Sequence, residues 1–159
     1  MNMSFKEKST WLSLIATLLV FGDYALTVLR LAGLNLSADQ KIDVAMQNLS
    51  TAILYIIIIE IIFQSLISAA SRNSLELKGD ERDKLIMLSA NNSGYWVLSV
   101  GVVITLGQLL LPHATGMESS IQSYISLPLF EVHLLLFSFI FAEIVRFSHQ
   151  IILYRQAAI

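Results

Sequence analysis

The chain has 159 residues and a net charge of −2, with 55% hydrophobic and only 14% charged side chains and a mean hydropathy of +0.69. An ordinary soluble domain carries roughly 25% charged residues, and a chain this short cannot hide so much apolar surface in its own core, so the composition excludes a water-soluble globule. There is no basic field to hold nucleic acid, and the lack of cysteine excludes disulfides, thiolate zinc sites, iron–sulfur clusters and a cysteine nucleophile.

A hydrocarbon layer about 30 Å thick takes about 20 mostly apolar residues per helix. Four stretches meet that requirement, at about residues 10–31, 49–70, 95–111 and 126–144. The predicted fold is therefore all-α, a four-helix transmembrane bundle forming a single domain over residues 1–159.

The first run is too long for the apolar region of a signal peptide, carries Asp23 near its middle and lacks a clear A-x-A cleavage site, so it reads as a retained span. Asp23, Thr27 and Arg30 recur at helical spacing along it as one polar stripe. The second run is rich in isoleucine and carries Glu60 and Gln64 in a similar stripe. On the third, Gly94, Leu98, Gly101, Thr105 and Gln108 share a face, where small residues let a neighbouring backbone approach closely. That face serves either packing within one chain or homo-oligomerisation. Pro112 is expected to end the third helix and Pro128 to sit in the first turn of the fourth, positions that tolerate a missing N–H. The fourth run carries Glu131 toward one end and Glu143 toward the other. It is expected to continue as an amphipathic helix through His149 toward Arg155, with Glu143, Arg146 and Gln150 on one face and His149 alongside.

Lysine and arginine placement predicts the orientation. Lys6 and Lys8 precede the first run, Arg72, Lys78, Arg82 and Lys84 lie between the second and third, and Arg146 and Arg155 follow the fourth. The opposite side offers only Arg30 and Lys41, so eight cations against two place both termini in the cytoplasm. Trp11, Tyr95, Trp96 and Tyr124 stand near span ends, as an interfacial aromatic belt requires.

The one substantial polar segment is the cytoplasmic loop at about residues 71–90. Gly79 breaks it, and Asp80 followed by Asp83 reads as a variant capping box that starts a helix. An unbroken helix from Glu81 to Leu111 would be about 46 Å long and would stand out of the bilayer. Residues 72–84 carry four cations and four carboxylates. They read either as a solvated helix start with local ion pairs or as a docking surface for a cytoplasmic protein, through Asp80, Glu81, Arg82, Asp83 and Lys84. Their spacing does not match a calcium loop.

The ionisable groups within the spans are the informative ones. Each of Asp23, Glu60, Glu131 and Glu143 costs about 2.5–3.5 kcal/mol at a helix centre, where a leucine returns only about 0.3–0.6. Such groups are expected to face the bundle, paired or neutralised. Three readings stand open: interhelical clamps (Asp23 with Arg30, Glu143 with Arg146), a proton or cation relay through Asp23 and Glu60, or a buried polar pocket for a lipid or small ligand. His133 and His149 lie about 24 Å apart on one helix and cannot share a haem iron. No metal site, cofactor site or enzyme motif of the H-E-x-x-H, G-x-S-x-G, P-loop or dinucleotide type is present in the sequence.

Two motifs carry a family likeness. Asp80-Glu81-Arg82-Asp83-Lys84-Leu85-Ile86 before the third span, and Ala142-Glu143-Ile144-Val145-Arg146-Phe147 followed by Gln150 and Tyr154-Arg155, resemble small four-span bacterial membrane proteins of unknown function (the DUF2178-like group). The resemblance covers nearly the whole chain in layout. It implies a bacterial inner-membrane protein and, by analogy with small multispan proteins encoded beside regulators or protecting against membrane-active toxins, docking at Asp80–Lys84. The function expected from the sequence is thus non-enzymatic. The chain is a binding or regulatory membrane protein that sequesters a cytoplasmic partner or confers immunity, with a small proton- or cation-coupled transporter as the alternative.

Overall fold

The computed structural model describes residues 5–71, 81–115 and 127–157. Among these it contains four helices and nothing else regular: α1 (Phe5–Ala32), α2 (Ala38–Ser71), α3 (Glu81–Thr115) and α4 (Phe130–Gln156). Three of them, over Lys6–Leu31, Ala38–Ile59 and Glu81–Pro112, are long and apolar enough to cross a membrane. Their outward faces agree with a lipid solvent. Leu19, Leu29 and Val103 are each about 70% exposed, which water would penalise and hydrocarbon does not.

Local chemistry sets the helix ends. α2 starts at Ala38, well before the apolar run that begins near Leu49, because Ser37 and Gln40 form a reciprocal capping box. The Ser37 backbone N–H donates to Gln40 Oε1 (3.1 Å), and the Gln40 N–H donates to Ser37 Oγ (3.3 Å). α3 starts at Glu81, as the charge pattern predicts, with Glu81 and Asp83 on its positive first turn. It runs through Pro112 to Thr115 instead of stopping there. A proline so close to the end removes one N–H from the last turn and leaves the rest of the ladder intact. Pro128 lies before α4, not in its first turn. Between them Leu129 takes a left-handed conformation (φ 57°), and its carbonyl accepts from the N–H groups of Val132 and His133 at 3.0 and 3.1 Å. The amphipathic continuation of the fourth helix is present, unbroken to Gln156.

The principal helix pairs are α3 with α4, α1 with α2 and α1 with α4. The core of α1 is the stripe Phe21, Tyr24, Val28 and Leu31, packed against Ala45 and Ala52 of α2 and Phe130 and Ile140 of α4. The Gly94/Gly101 face of α3 is filled by α4 of the same chain. A Cβ at Gly94 would lie 3.1 Å from Arg146 Cβ and 3.2 Å from the Ala142 carbonyl oxygen, and one at Gly101 would overlap the Ser138 side chain. At these two glycines the face serves packing within one chain.

Two ion pairs show how the helices run. Lys6 Nζ lies 2.9 Å from Asp83 Oδ2, and Arg155 Nε 3.5 Å from Glu7 Oε1. The starts of α1 and α3 and the end of α4 thus meet at one end of the bundle.

A cavity between three helices

Near that shared end, α1, α2 and α4 line a half-open cavity of about 200 Å³. The α1 wall is a single helical face that changes character along its length. It begins with Ser9, Thr10 and Ser13, passes Ala16 and Thr17, and closes on Val20 and Phe21. Small hydroxyl side chains leave room where larger residues would fill the groove. Thr10 Oγ1 donates to the Lys6 carbonyl (2.9 Å) and Thr17 Oγ1 to the Ser13 carbonyl (2.8 Å), so their hydrogens are satisfied within the helix. α2 contributes Ile56 and Ile59. α4 contributes Phe139, Glu143, Arg146, Phe147 and Gln150, again one face at helical spacing.

The charged pair predicted on α4 is formed and lines this cavity. Arg146 Nε donates to Glu143 Oε2 at 3.1 Å, and Arg146 Nη2 donates to the same oxygen. The guanidinium carbon also lies 4.3 Å from the centroid of the Phe147 ring, a cation–π placement. Both side chains are about one-quarter exposed. The pairing offsets much of what a lone charge would cost at this depth.

A second polar feature lies one turn beyond Phe21, and the sequence did not single it out. Tyr24 and His133 are 4% and 1% exposed and share a hydrogen bond between Tyr24 Oη and His133 Nδ1. Their rings are tilted with centroids 5.9 Å apart, and the Phe137 ring, one turn further along α4, also packs on Tyr24 at 5.6 Å. His133 Nε2 is buried and has no hydrogen-bond partner among the described residues. The signal available was the 3–4 spacing of Phe21, Tyr24, Val28 and Leu31, which marks the buried face of α1.

That same face turns Asp23 and Arg30 outward. Both are exposed and they form no ion pair with each other, which corrects the expected clamp. Seven residues separate them by about 10.5 Å along the axis, and Asp23 sits about 100° round the helix from the core residue Tyr24. Thr27 donates to the Asp23 carbonyl (2.9 Å) rather than reaching its carboxylate. Asp23 is therefore not directed into a path between helices. Glu60 and Gln64 lie in α2, Glu60 next to the cavity residue Ile59, and their side chains fall outside the described residues. Glu131 is half-buried in the first turn of α4, where the helix dipole favours a carboxylate. His149 Nδ1 and Ser93 Oγ share a hydrogen bond of 2.8 Å that ties α4 to α3.

Of the loop cluster, Asp80 falls outside the described residues. Glu81, Arg82 and Lys84 are exposed, and Asp83 is held by Lys6. Beside Asp83 stands the buried Tyr154 of α4. Burial raises its phenol pKa above the usual value, and the neighbouring Asp83 adds to the rise against opposing effects of Gln150 and Arg82. At the same end of the bundle, a collar of charged side chains, Arg155 Cζ lies 5.5 Å from the Trp11 ring centroid. Among the described residues no three His, Asp or Glu side chains gather as metal ligands would.

Comparison with protein families, with curated proteins and with solved structures finds no match to this chain.

Proposed function

We propose that this chain is a four-span protein of the bacterial inner membrane with both termini in the cytoplasm, and that it acts by binding rather than by catalysis. The orientation rests on the eight-to-two placement of lysine and arginine. It is supported by the meeting of the α1 start, α3 start and α4 end at one end of the bundle. A fourth span through α4 is supported by its 27-residue length, about 40 Å, and by its packing on both α1 and α3. Its charges reduce its average hydropathy, but Glu143 and Arg146 neutralise each other and face the cavity rather than lipid.

The observation that carries the binding reading is that cavity, apolar at its inner end and polar at its cytoplasmic end. Sites for small molecules have this composition: mostly apolar walls with a few placed polar groups. A ligand lodged between α1 and α4 alters how those helices pack. A regulatory output would then be felt at the shared end, where Glu81, Arg82 and Lys84 remain exposed to a cytoplasmic protein.

The test is native mass spectrometry of the full chain released from nanodiscs, beside the cavity-filling variant Ala16→Phe. Wild type is expected to carry a bound small amphiphile that the variant lacks. Equal retention by both proteins, or none by either, overturns the reading.

A further inference from the structure

Resting on that reading, we infer that the cavity selects an anionic amphiphile, with its phosphate or carboxylate headgroup at Arg146 and its chain directed toward Phe21. Three observations carry the inference. The first is the supply of unused donors. A guanidinium has five N–H groups, and the two that engage Glu143 converge on a single carboxylate oxygen. Among the described residues the rest of the fork has no acceptor and stays available to an oxyanion, the partner that arginine matches best in geometry. The hydroxyls of Ser9 and Ser13 also line the cavity, and neither donates to a protein group among the described residues. Thr10 and Thr17, by contrast, already donate to backbone carbonyls.

The second is the gradient along the walls. From Ser9 to Phe21 is about 18 Å of helix, polar at the collar and apolar inside. A fully polar solute would leave Val20, Phe21, Ile56 and Phe139 facing water, and a pure hydrocarbon would strand Arg146 and the serines.

The third is the charge at that end of the bundle. Lys6, Lys8, Arg82, Lys84, Arg146 and Arg155 face Glu7, Glu81, Asp83 and Glu143, six cations against four carboxylates. In the rest of the loop Arg72 and Lys78 are balanced by Glu76 and Asp80. The net positive end attracts anionic headgroups, as juxtamembrane basic residues do on the cytoplasmic leaflet. Glu143 does not reverse this preference. It already bonds Arg146, and an arriving anion joins the pair as a second acceptor on the same guanidinium.

The experiment uses the full chain purified in dodecyl maltoside and titrated with dodecyl phosphate, dodecylphosphocholine and inorganic phosphate, followed by tryptophan fluorescence and by thermal unfolding. Dodecyl phosphate is expected to bind at least tenfold more tightly than dodecylphosphocholine and to raise the unfolding temperature, while inorganic phosphate alone does neither. Arg146→Gln should lose the difference between the two amphiphiles, and Glu143→Gln should keep it. Equal binding of the anionic and zwitterionic probes overturns the headgroup assignment and leaves the cavity reading standing. Binding of inorganic phosphate as tight as that of dodecyl phosphate overturns the chain assignment, and failure of every amphiphile to bind removes the cavity reading itself. If Arg146→Gln does not purify as wild type does, the comparison of probes on wild-type protein decides the matter, with Arg146→Lys as the variant that keeps the charge.

Discussion

Gly101→Ala tests the close contact of α3 with α4 most directly. A Cβ at this position would overlap both Cβ and Oγ of Ser138 and lie 3.4 Å from its Cα. A rotamer change moves Oγ but not Cβ, and Oγ is held by its bond to the Leu134 carbonyl (2.8 Å). The helices must therefore separate. Overpacking of this kind costs about 1–3 kcal/mol, with a rigid obstruction at the upper end. Replacing glycine by alanine inside a helix returns roughly 0.5–1 kcal/mol. The net expectation is a loss of about 2 kcal/mol, a fall of roughly 4–8 °C in unfolding temperature for a chain of this size. Gly22→Ala is the control, because among the described residues nothing lies within 4 Å of its Cβ position; it should be neutral or slightly stabilising. Ser138→Gly removes the obstructing atoms, so Gly101→Ala/Ser138→Gly should return to within about 1 kcal/mol of wild type despite the second glycine. Thermal unfolding in detergent, read by far-UV circular dichroism, measures wild type and all four variants. A Gly101→Ala that matches Gly22→Ala, or a double variant that loses the sum of its singles, would refute the close contact.

The buried Tyr24–His133 pair should show the asymmetry of a hydrogen bond in an apolar site. Tyr24→Phe removes the bond to His133 Nδ1 in a buried site and should cost about 1–3 kcal/mol, whereas Tyr24→Phe/His133→Leu should recover most of that loss; unfolding curves in which the double variant is the less stable would refute the assignment. Tyr154 predicts an alkaline limb in stability. Its folded pKa is raised above the ordinary value of 10.0, so above about pH 10 the unfolded chain releases a proton that the folded chain retains, and stability falls as pH rises. Unfolding temperatures taken from about pH 8 upward should show this fall in wild type and a smaller one in Tyr154→Phe; identical profiles would exclude Tyr154 as its source.

Much of the fold was legible in the amino-acid order because lipid imposes a severe requirement on it. Long apolar runs have no other stable use, and each must satisfy its backbone internally as a helix. The glycine face of α3, the start of α3 at Glu81, the extension of α4 and the Glu143–Arg146 pair all follow from spacing within one helix, where 3.6 residues per turn determines who can meet. What only the tertiary structure decided is which face of each helix turns inward and what it meets there. Asp23 and Arg30 invited a clamp because they are charged, yet the packing of Phe21, Tyr24, Val28 and Leu31 outweighs a single pair and rotates them outward. Tyr24 meets His133 across 109 positions of sequence, and Lys6 meets Asp83 across a whole helical hairpin; no local pattern encodes such pairings. The cavity belongs to the same class. Serines and threonines on α1 are unremarkable alone, and they enclose a site only because isoleucines of α2 and the ion pair of α4 stand opposite them.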